Sequence, residues 1–284
     1  MAPGATTLNW RSRPRGGERV LVLLHGFMET GAALAPLARR LEPSLEVLLP
    51  DLPGHGGSPF SALPADRRPQ DVPGAARLVL DDLTALGVAR FFLYGYSMGG
   101  RVAQLMAADA PARVRALILE SAGFGLTEEG ARARRRAADA ALLAKVKSRR
   151  DFARFLRRWH ALPLFCTLAG HPGLAALIRA KKRNHPAELR RALAVLGPGR
   201  QPFTPPLLAP TGVPIHYLFG CRDHKYRRTA ADAGRRLPGM VCHPFAAASH
   251  NVHFQFPDAV AALIGRILGL PPTRAEIERL EDDQ

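Results

Sequence analysis

Residues 91–103 read FFLYGYSMGGRVA, an aromatic and apolar run that stops at a glycine, passes a serine and two more glycines, and ends in a helix-like stretch. Within it, GYSMG at 95–99 fits the pattern Gly-x-Ser-x-Gly between a strand and a helix. In that setting a tight turn holds the serine hydroxyl above the edge of a sheet, and larger side chains in place of the glycines would collide with the packed strand and helix. The stretch therefore predicts an exposed, nucleophilic Ser97. The alternative is a serine that only caps the following helix.

Apolar, β-branched or aromatic runs recur along the chain and are mostly separated by helix-like stretches. Continuous apolar strands that alternate with helices are typical of a parallel sheet covered on both faces. We therefore predict an α/β fold with a mostly parallel, doubly wound sheet. The predicted strands are RVLVLL (19–24), LEVLL (45–49), RFFLYG (90–95), VRALIL (114–119), PIHYLFG (214–220) and MVCHPF (240–245). The clearest helix candidates span 33–41, 74–86, 99–108, 227–237 and 257–268.

The alternation of strands and helices stops between about Thr127 and Pro210, where apolar residues recur only at helical spacing. We predict a helical cap inserted into the sheet domain, so that 1–126 and 211–284 form the two parts of the core and 127–210 form the cap. The insertion is strongly basic. Residues 131–191 hold 17 Lys and Arg against three acidic residues, which places +14 of the formal net charge of +16 in this one segment.

The remaining composition limits the environment of the protein. A chain of 284 residues can fold around a large core without disulfides or metals. The apolar run before His25 has five residues, too short for a signal peptide or a membrane span, so we expect a cytoplasmic protein without membrane insertion. Cys166, Cys221 and Cys242 show no Cys-x-x-Cys spacing, and we expect them to be reduced residues in or near the core.

A serine is a poor nucleophile or base unless a histidine and an orienting carboxylate assist it, and in this kind of sheet they follow in the order Ser, Asp, His. Asp223 follows the predicted strand PIHYLFG, at the carboxyl end where catalytic groups collect. His250 follows the last predicted strand and precedes the final helix. We predict that Ser97, His250 and Asp223 form a catalytic triad. Less suitable candidates for the same roles are Asp232, Asp258, His224 and His253.

Such a triad normally works with two backbone N–H groups that stabilise developing negative charge. The amide of Met98, directly after the serine, is one predicted donor. The loop LLHGFME at 23–29 follows an early strand and offers the amide of Phe27 as the second. The glycine-rich turn DLPGHGGS at 51–58 lacks the spacing of a phosphate-binding loop, and we expect it to shape the site without direct chemistry.

The strings HGF, DLPGHGGS, GYSMGG, the aspartate after PIHYLFG and the late SHNVH together resemble the α/β-hydrolase fold over nearly the whole chain. Fold alone does not fix function. Further strings are similar to those of the 2-succinyl-6-hydroxy-2,4-cyclohexadiene-1-carboxylate synthases of menaquinone biosynthesis: GYSMGGRVA, ESAGFGL, ARARRRAAD, WHALPLF, LGPGRQP, GCRDHKY and SHNVH. The more specific matches are SHNVH and the arginine directly after GYSMGG.

This resemblance implies a carbon–oxygen lyase on a hydrolase scaffold. The family removes a proton from 2-succinyl-5-enolpyruvyl-6-hydroxy-3-cyclohexene-1-carboxylate and then eliminates pyruvate, without an acyl-enzyme. Carried over, Ser97 activated by His250 is the base, Asp223 holds the imidazole tautomer, and the Phe27 and Met98 amides stabilise the developing charge. No metal or organic cofactor is implied.

The substrate implied by the resemblance bears three carboxylates. Arg101 lies one helical turn beyond Ser97, so its guanidinium can reach the same pocket and bind a carboxylate through two parallel hydrogen bonds. Further family contacts fall on Tyr96, Arg135, Trp159 and Lys181, although Tyr96 and Trp159 fit a packing role equally well. The alternatives are Arg132 and Arg136 for Arg135, and Arg179 and Arg183 for Lys181, which stands where the family has an arginine.

Two other functions fit part of the pattern. A carboxylesterase or C–C bond hydrolase would use the same triad through an acyl-enzyme on an anionic substrate. A basic scaffold would bind nucleic acid or membrane through 131–191, but aromatic residues are not interleaved with the basic ones there. We therefore expect a small polycarboxylate substrate, no specific nucleic-acid partner and no metal site. The sequence leaves the oligomeric state open.

Overall fold

Six parallel strands form one sheet in the computed structural model, which describes residues 5–42 and 44–271. The order across the sheet is β2-β1-β3-β4-β5-β6, and each neighbouring pair is parallel. All six predicted runs form strands, so the predicted α/β class is confirmed. The strands are β1 (Val20–Leu24), β2 (Glu46–Leu48), β3 (Phe91–Tyr96), β4 (Val114–Glu120), β5 (Ile215–Gly220) and β6 (Val241–Phe245).

Helices connect the strands, and the five helix candidates all occur with ends shifted by at most three residues. The largest helix of the core begins earlier than predicted because Asp71 caps it and accepts a hydrogen bond from the Gly74 amide at 2.7 Å. The helices are α1 (Ala35–Leu41), α2 (Val72–Ala85), α3 (Met98–Asp109), α4 (Glu129–Leu142), α5 (Arg149–His160), α6 (Leu174–Lys181), α7 (Pro186–Leu196), α8 (Pro205–Leu208), α9 (His224–Arg236), α10 (Val252–Gln255) and α11 (Pro257–Ile267). Among the described residues, none of these helices is long and apolar enough to cross a membrane.

Strand β1 shows how the sheet is covered on both faces, since all five of its residues are buried. Leu21 and Leu23 belong to one apolar cluster with residues of α1 and α11, whereas Val20, Val22 and Leu24 belong to another with residues of α2 and α3. Burying a side chain of this size stabilises a fold by about 1.5–3 kcal/mol. Burial on two sides explains why the strands read as continuous apolar runs.

Between β4 and β5 the chain leaves the sheet and forms α4 to α8, without a strand among its described residues. The two strands are neighbours, so the insertion begins and ends side by side. It has an apolar cluster of its own, which includes Phe152, Leu156 and Leu189 and reaches Met28 of the core. We propose to treat 127–210 as a cap on a core of 1–126 and 211–284, of which 272–284 lie outside the described residues.

The prediction that the three cysteines lie in or near the core is wrong for two of them. Cys166 and Cys242 are exposed, and Cys221 is half-buried. Cys242 belongs to β6, the edge strand, whose residues are covered far less than those of the inner strands. Cys166 lies in a short 3-10 helix at 163–168 of the insertion. Their apolar neighbours in the sequence therefore did not indicate burial.

Candidate active site

Ser97 stands between the end of β3 and the start of α3. Its backbone has φ 49° and ψ −103°, a conformation that residues other than glycine rarely adopt. Its side chain is partly exposed, although Tyr96 and Met98 on either side are buried. The strained turn therefore presents the serine hydroxyl at the carboxyl edge of the sheet, as the sequence predicted.

Glycines permit this turn because the surrounding backbone leaves no room for side chains. A Cβ on Gly99 would lie 2.3 Å from the carbonyl oxygen of Leu24, at the end of β1. A Cβ on Gly95 would lie 2.6 Å from the Cα of Gly100. Both neighbours are main-chain atoms, which cannot rotate away as a side chain can. The two glycines therefore fix how closely α3 approaches β1 and β3.

Replacing Gly99 with alanine should lower the free energy of unfolding by about 3 kcal/mol, because the new methyl group must push α3 away from β1. A suitable control is Gly234→Ala in α9, where a Cβ meets nothing within 4 Å. That change should raise the free energy of unfolding by up to about 1 kcal/mol, the difference in helix propensity. Urea unfolding followed by circular dichroism measures both values. Equal stability of Gly99→Ala and wild type would contradict the close packing at the turn.

Ser97, His250 and Asp223 are linked in series. His250 Nε2 lies 3.0 Å from Ser97 Oγ, and His250 Nδ1 lies 2.9 Å from Asp223 Oδ2. Asp223 also caps α9, since its Oδ1 accepts a hydrogen bond from the Tyr226 amide at 3.1 Å, which fixes the carboxylate. With the Nδ1 hydrogen donated to Asp223, Nε2 is free to accept the proton of the serine hydroxyl. The arrangement can therefore activate Ser97 as a base or as a nucleophile.

Burial lowers the pKa of His250 below its ordinary value of 6.5, although the hydrogen bond and charge of Asp223 oppose this. A histidine that accepts a proton must be neutral, and the neutral form prevails above its pKa. We therefore expect kcat/KM to stay level as the pH falls from roughly 8 to 6.5 and to decline only below that. Initial rates in one mixed buffer measure this profile. A decline centred above pH 6.5 would show that burial does not control this histidine.

The loop that carries Phe27 packs directly against the turn. A Cβ on Gly26 would lie 2.4 Å from the ring of Tyr96, so the loop approaches as closely as a glycine allows. Met98 opens α3, where the first amides have no acceptor within the helix. The amides of Phe27 and Met98 thus belong to two segments that meet beside Ser97. Their joint use as an oxyanion site is our proposal.

The turn at 51–58 holds this loop in place. His55 Nε2 accepts the amide hydrogen of Met28 at 3.2 Å, and His25 Nε2 accepts that of Leu52 at 2.9 Å. Burial lowers the pKa of His55 to about 3, so its ring is neutral near pH 7 and able to accept. Two reciprocal histidine contacts therefore join the turn to the loop that carries Phe27.

Arg101 is a buried cation, with 6% of its surface exposed, one helical turn beyond Ser97. Its Nε and Nη2 donate to the carbonyl oxygen of Leu196 at 3.2 and 2.9 Å, and the described residues supply no carboxylate that forms an ion pair with it. Burial lowers the pKa of Arg101 to about 10, which leaves the group charged at neutral pH. Because an unpaired buried charge is unfavourable, the position suits a group that receives an anionic ligand.

A cavity of about 670 Å³ opens beside Arg101. Arg135, Lys225, Arg235 and Arg236 line the same cavity, so with Arg101 it contains five cations, against one carboxylate, that of Asp232. Tyr226 connects the cavity to the catalytic residues, because it lines the cavity and its ring centre lies 4.8 Å from that of His250. The cavity is therefore basic and lies beside His250 through Tyr226, although neither His250 nor Ser97 lines it.

Of the three neighbouring arginines considered on α4, Arg135 is the one that lines this cavity. Its Nε donates to Asp139 at 2.9 Å. Arg132 and Arg136 instead donate to main-chain carbonyls of the segment 199–201, at 3.2 Å each. The location favours Arg135 over both alternatives for contact with a ligand.

The sequence profile of the alpha/beta hydrolase family matches residues 21–263, which include every residue of the site described above. The chain belongs to the alpha/beta hydrolase family. The parallel sheet with helices on both faces is the fold of that family, with the serine after β3, the aspartate after β5 and the histidine after β6.

Relatives named 2-succinyl-6-hydroxy-2,4-cyclohexadiene-1-carboxylate synthase share much of the sequence. The one from Salmonella paratyphi C (strain RKS4594) is 30% identical over 254 residues, which cover 89% of this chain and 95% of that protein. The one from Klebsiella pneumoniae (strain 342) is 35% identical over 258 residues, which cover 87% and 93%. Among solved structures, MenH from S. aureus matches with a TM-score of 0.81 and 26% identity, over 93% of this chain and 98% of that one.

Trp159 on α5 belongs to a row of aromatic rings above the catalytic residues of this hydrolase fold. Its ring centre lies 6.1 Å from that of Phe27 and 5.9 Å from that of Phe165. Phe165 in turn lies 5.6 Å from His250. The insertion therefore places Trp159 where it contacts both the Phe27 loop and the ring that covers His250, a position that fits a pocket wall.

Tyr96 is buried behind the catalytic residues, with 3% of its surface exposed. Its ring centre lies 5.4 Å from that of His250 and 4.6 Å from that of His253. A side chain covered in this way supports the histidine and is not available to a ligand. Of its two predicted roles, the structure favours packing.

Lys181 on α6 lies apart from the other predicted site residues. Its Nζ is 3.2 Å from Glu29 Oε1, and both side chains are buried. Burial alone would raise the pKa of Glu29, but Lys181, His253 and His25 together outweigh it and the pKa is lowered. Lys181 lines a second cavity of about 470 Å³ that does not include Arg101, and its alternatives Arg179 and Arg183 are exposed. Because its charge already has a buried partner, we do not assign Lys181 to a substrate carboxylate.

Two buried carboxylates near the site, Glu29 and Glu120, were not predicted. The rule that located Asp223, a carboxylate at the carboxyl end of a predicted strand, also marks Glu120, which ends β4. No comparable signal marks Glu29, because its partner Lys181 comes from the distant insertion.

Proposed function

We propose that this protein is a 2-succinyl-6-hydroxy-2,4-cyclohexadiene-1-carboxylate synthase, a lyase of menaquinone biosynthesis. Ser97, hydrogen-bonded to His250, lies one helical turn from Arg101, a buried cation without a carboxylate partner among the described residues, and this combination supports the proposal most directly. The hydrogen-bonded pair of Ser97 and His250 supplies a base, and Arg101 supplies a binding site for an anion. A hydrolase of neutral esters would need the pair but would gain nothing from the buried arginine.

The proposed reaction converts 2-succinyl-5-enolpyruvyl-6-hydroxy-3-cyclohexene-1-carboxylate into the 2,4-diene and pyruvate without water. A proton leaves C2 of the ring, next to the succinyl carbonyl, and its electron pair forms the C2–C3 double bond. The C3–C4 double bond moves to C4–C5, and the bond from C5 to the enolpyruvyl oxygen breaks. Ser97 Oγ takes the C2 proton while its own proton passes to His250 Nε2. That proton returns to the leaving enolpyruvate as it becomes pyruvate, so atoms and charge balance.

Charge develops on the succinyl carbonyl oxygen as the C2–H bond breaks. In the proposed mechanism the amides of Phe27 and Met98 bind this oxygen, where fixed donors are most effective. Asp223 keeps Nδ1 of His250 protonated and stabilises the imidazolium that forms. A preorganised base of this kind contributes about 10²- to 10⁴-fold to the rate.

The proposed substrate carries three carboxylates, and the cavity beside Arg101 is lined by five cations and a single carboxylate, that of Asp232. Arg101 lies in the first turn of α3, directly after Ser97, so we assign to it the carboxylate nearest the reacting carbon, held by a planar fork of donors. Arg135 and Lys225 are the proposed partners of the other carboxylates. Trp159 supplies the apolar wall for the ring.

Two relatives with this synthase name match 89% and 87% of the chain, which is further support. We also propose a small-molecule substrate, a cytoplasmic location and no specific nucleic-acid partner. The basic insertion does not require one, because many of its arginines bind acidic side chains or carbonyls of the protein itself. These are Arg132, Arg135, Arg136, Arg149, Arg154, Arg190 and Arg191.

The function is tested with purified protein and freshly prepared substrate, following diene absorbance and pyruvate release in the same cuvette. We expect pyruvate release far above the spontaneous rate. No acceleration, together with hydrolysis of a simple aryl ester, would instead assign a carboxylesterase or C–C bond hydrolase that forms an acyl-enzyme on Ser97.

A further inference from the structure

Glu120, the last residue of β4, has a fully buried side chain and takes no part in the proposed chemistry. Its Oε1 accepts hydrogen bonds from the Val252 amide and from Nδ1 of His253, each at 2.8 Å. Its Oε2 accepts from the His253 amide at 3.2 Å and from the hydroxyl of Tyr94. Four donors therefore converge on one carboxylate, and two of them are the main chain directly after His250 and Asn251.

Glu120 also binds the serine. The amide of Ser97 donates to the main-chain carbonyl of Glu120 at 2.8 Å. One residue thus holds the chain on both sides of the Ser97–His250 hydrogen bond: its main chain fixes the serine, and its side chain fixes the segment that carries the histidine. Contacts therefore run from Ser97 through Glu120 to the segment that carries His250. The 3.0 Å contact between Ser97 Oγ and His250 Nε2 closes this series.

We infer that Glu120 is a positioning residue that sets the distance and angle between Ser97 Oγ and His250 Nε2. It acts through these two residues and does not touch the substrate. Misplacement of a catalytic group by about 1 Å can cost on the order of 10²-fold in rate. Loss of the contacts made by Glu120 should therefore have a measurable effect on the reaction rate. The inference rests on the proposed roles of Ser97 and His250 but not on the identity of the substrate.

His253 is the basic side chain that pairs with the carboxylate of Glu120. Burial alone would lower the pKa of His253, but the charge of Glu120 and its hydrogen bond outweigh burial and raise the pKa. The raised pKa favours the protonated form of the ring, which donates through Nδ1 and offsets the charge of the buried carboxylate. Its Nδ1 is therefore committed to Glu120, which explains why His253, considered in the sequence as a possible base, is not the histidine that faces Ser97.

Asp82 provides a matched control for Glu120. It is also a buried carboxylate, and it accepts the amides of Thr7 and Leu8 and the indole N–H of Trp10 at 2.8–2.9 Å, without contact to the catalytic residues. Glu120→Gln and Asp82→Asn each place an amide nitrogen against N–H donors. Both should lower stability, but only the first should disturb catalysis.

The test measures how fast a fluorophosphonate modifies Ser97, followed by intact mass, in proteins shown to be folded by circular dichroism. In that reaction Oγ displaces fluoride from phosphorus as its proton passes to His250, so the rate reports on the pair without the natural substrate. We expect Glu120→Gln to react about 10- to 100-fold more slowly than wild type and Asp82→Asn to react within twofold of it. With the natural substrate, kcat should fall by a similar factor while KM changes by less than about twofold.

Tyr94→Phe and its control Tyr217→Phe provide a second comparison. Both variants keep the buried aromatic ring, so the inference can still be tested if Glu120→Gln does not fold. The first removes a donor to Glu120, and the second removes a donor to the carbonyl of Ala122. Only Tyr94→Phe should slow the modification, by about threefold or more. The inference is overturned if Glu120→Gln and Tyr94→Phe react like wild type, if their controls slow equally, or if wild-type Ser97 does not react. Failure of pyruvate release alone would overturn only the proposed function.

Discussion

Replacing Ser97 with alanine should lower kcat/KM for pyruvate elimination by about 10³- to 10⁴-fold. The hydroxyl is the group that links the substrate proton to His250, and its Oγ is 3.0 Å from Nε2. Without it, His250 and Asp223 remain in place but no group carries the proton across the gap. In the proposed mechanism the amides of Phe27 and Met98 still bind the substrate, so we expect activity above the spontaneous rate to persist. Stopped-flow measurement of diene absorbance gives both rate constants.

Ser121→Ala is the control for this substitution. Ser121 also has a positive φ, of 47°, its side chain is buried, and its Oγ has no hydrogen-bond partner in the described structure. Alanine at either position therefore has the same backbone strain as serine, and both proteins should unfold within about 1 kcal/mol of wild type. Only Ser97→Ala should lose activity. A Ser97→Ala protein within tenfold of wild type would remove the serine from the mechanism.

Replacing Arg101 with methionine should lower kcat/KM for the tricarboxylate substrate by about 10²-fold, chiefly through a higher KM, because a buried charge pair contributes about 2–5 kcal/mol to binding when one partner is removed. Methionine fills similar space without a charge. Arg101→Lys keeps the charge but not the planar fork and should lose about tenfold. The protein itself should lose little stability, since removal of an unpaired buried cation offsets the two lost hydrogen bonds to Leu196.

Arg113→Met is the control for Arg101. Arg113 likewise donates to main-chain carbonyls, those of Leu80, Val88 and Ala89, but lies away from the cavity. Its loss should affect unfolding and leave KM unchanged. An Arg101→Met protein with the KM of wild type would show that Arg101 supports Leu196 and does not bind substrate.

The sheet and the serine, aspartate and histidine were predictable because their signals are local. A strand buried on both faces reads as an unbroken apolar run, and Ser97 and Asp223 follow such runs at the carboxyl ends of β3 and β5. His250 instead follows the more exposed edge strand β6. Once those strands were identified, the order Ser, Asp, His along the chain assigned one residue to each predicted role. Helix ends were predicted to within three residues because most caps are local as well.

The cationic residues of the insertion were less predictable, because their roles depend on partners distant in the sequence. Lys181 matched a family position for carboxylate binding, yet Glu29 from the core neutralises it. Arg135 differs from Arg132 and Arg136 only in the direction it faces, and the spacing of charges on a helix does not reveal which face meets a cavity. Glu120 was overlooked because a charged residue at the end of an apolar run is normally interpreted only as the point where the strand ends.

The insertion between β4 and β5 also governs when the site can exist during synthesis. Ser97 is synthesised before the insertion, whereas Asp223 and His250 are synthesised after it. The 153 residues from Met98 to His250 take about 8–30 s to translate at typical bacterial-to-eukaryotic speeds. Throughout that interval Ser97 lacks the histidine that we propose as its base, so we expect it to be unreactive in a nascent chain or in a fragment that ends before residue 250. The enzyme becomes reactive only when nearly all of its core has been delivered.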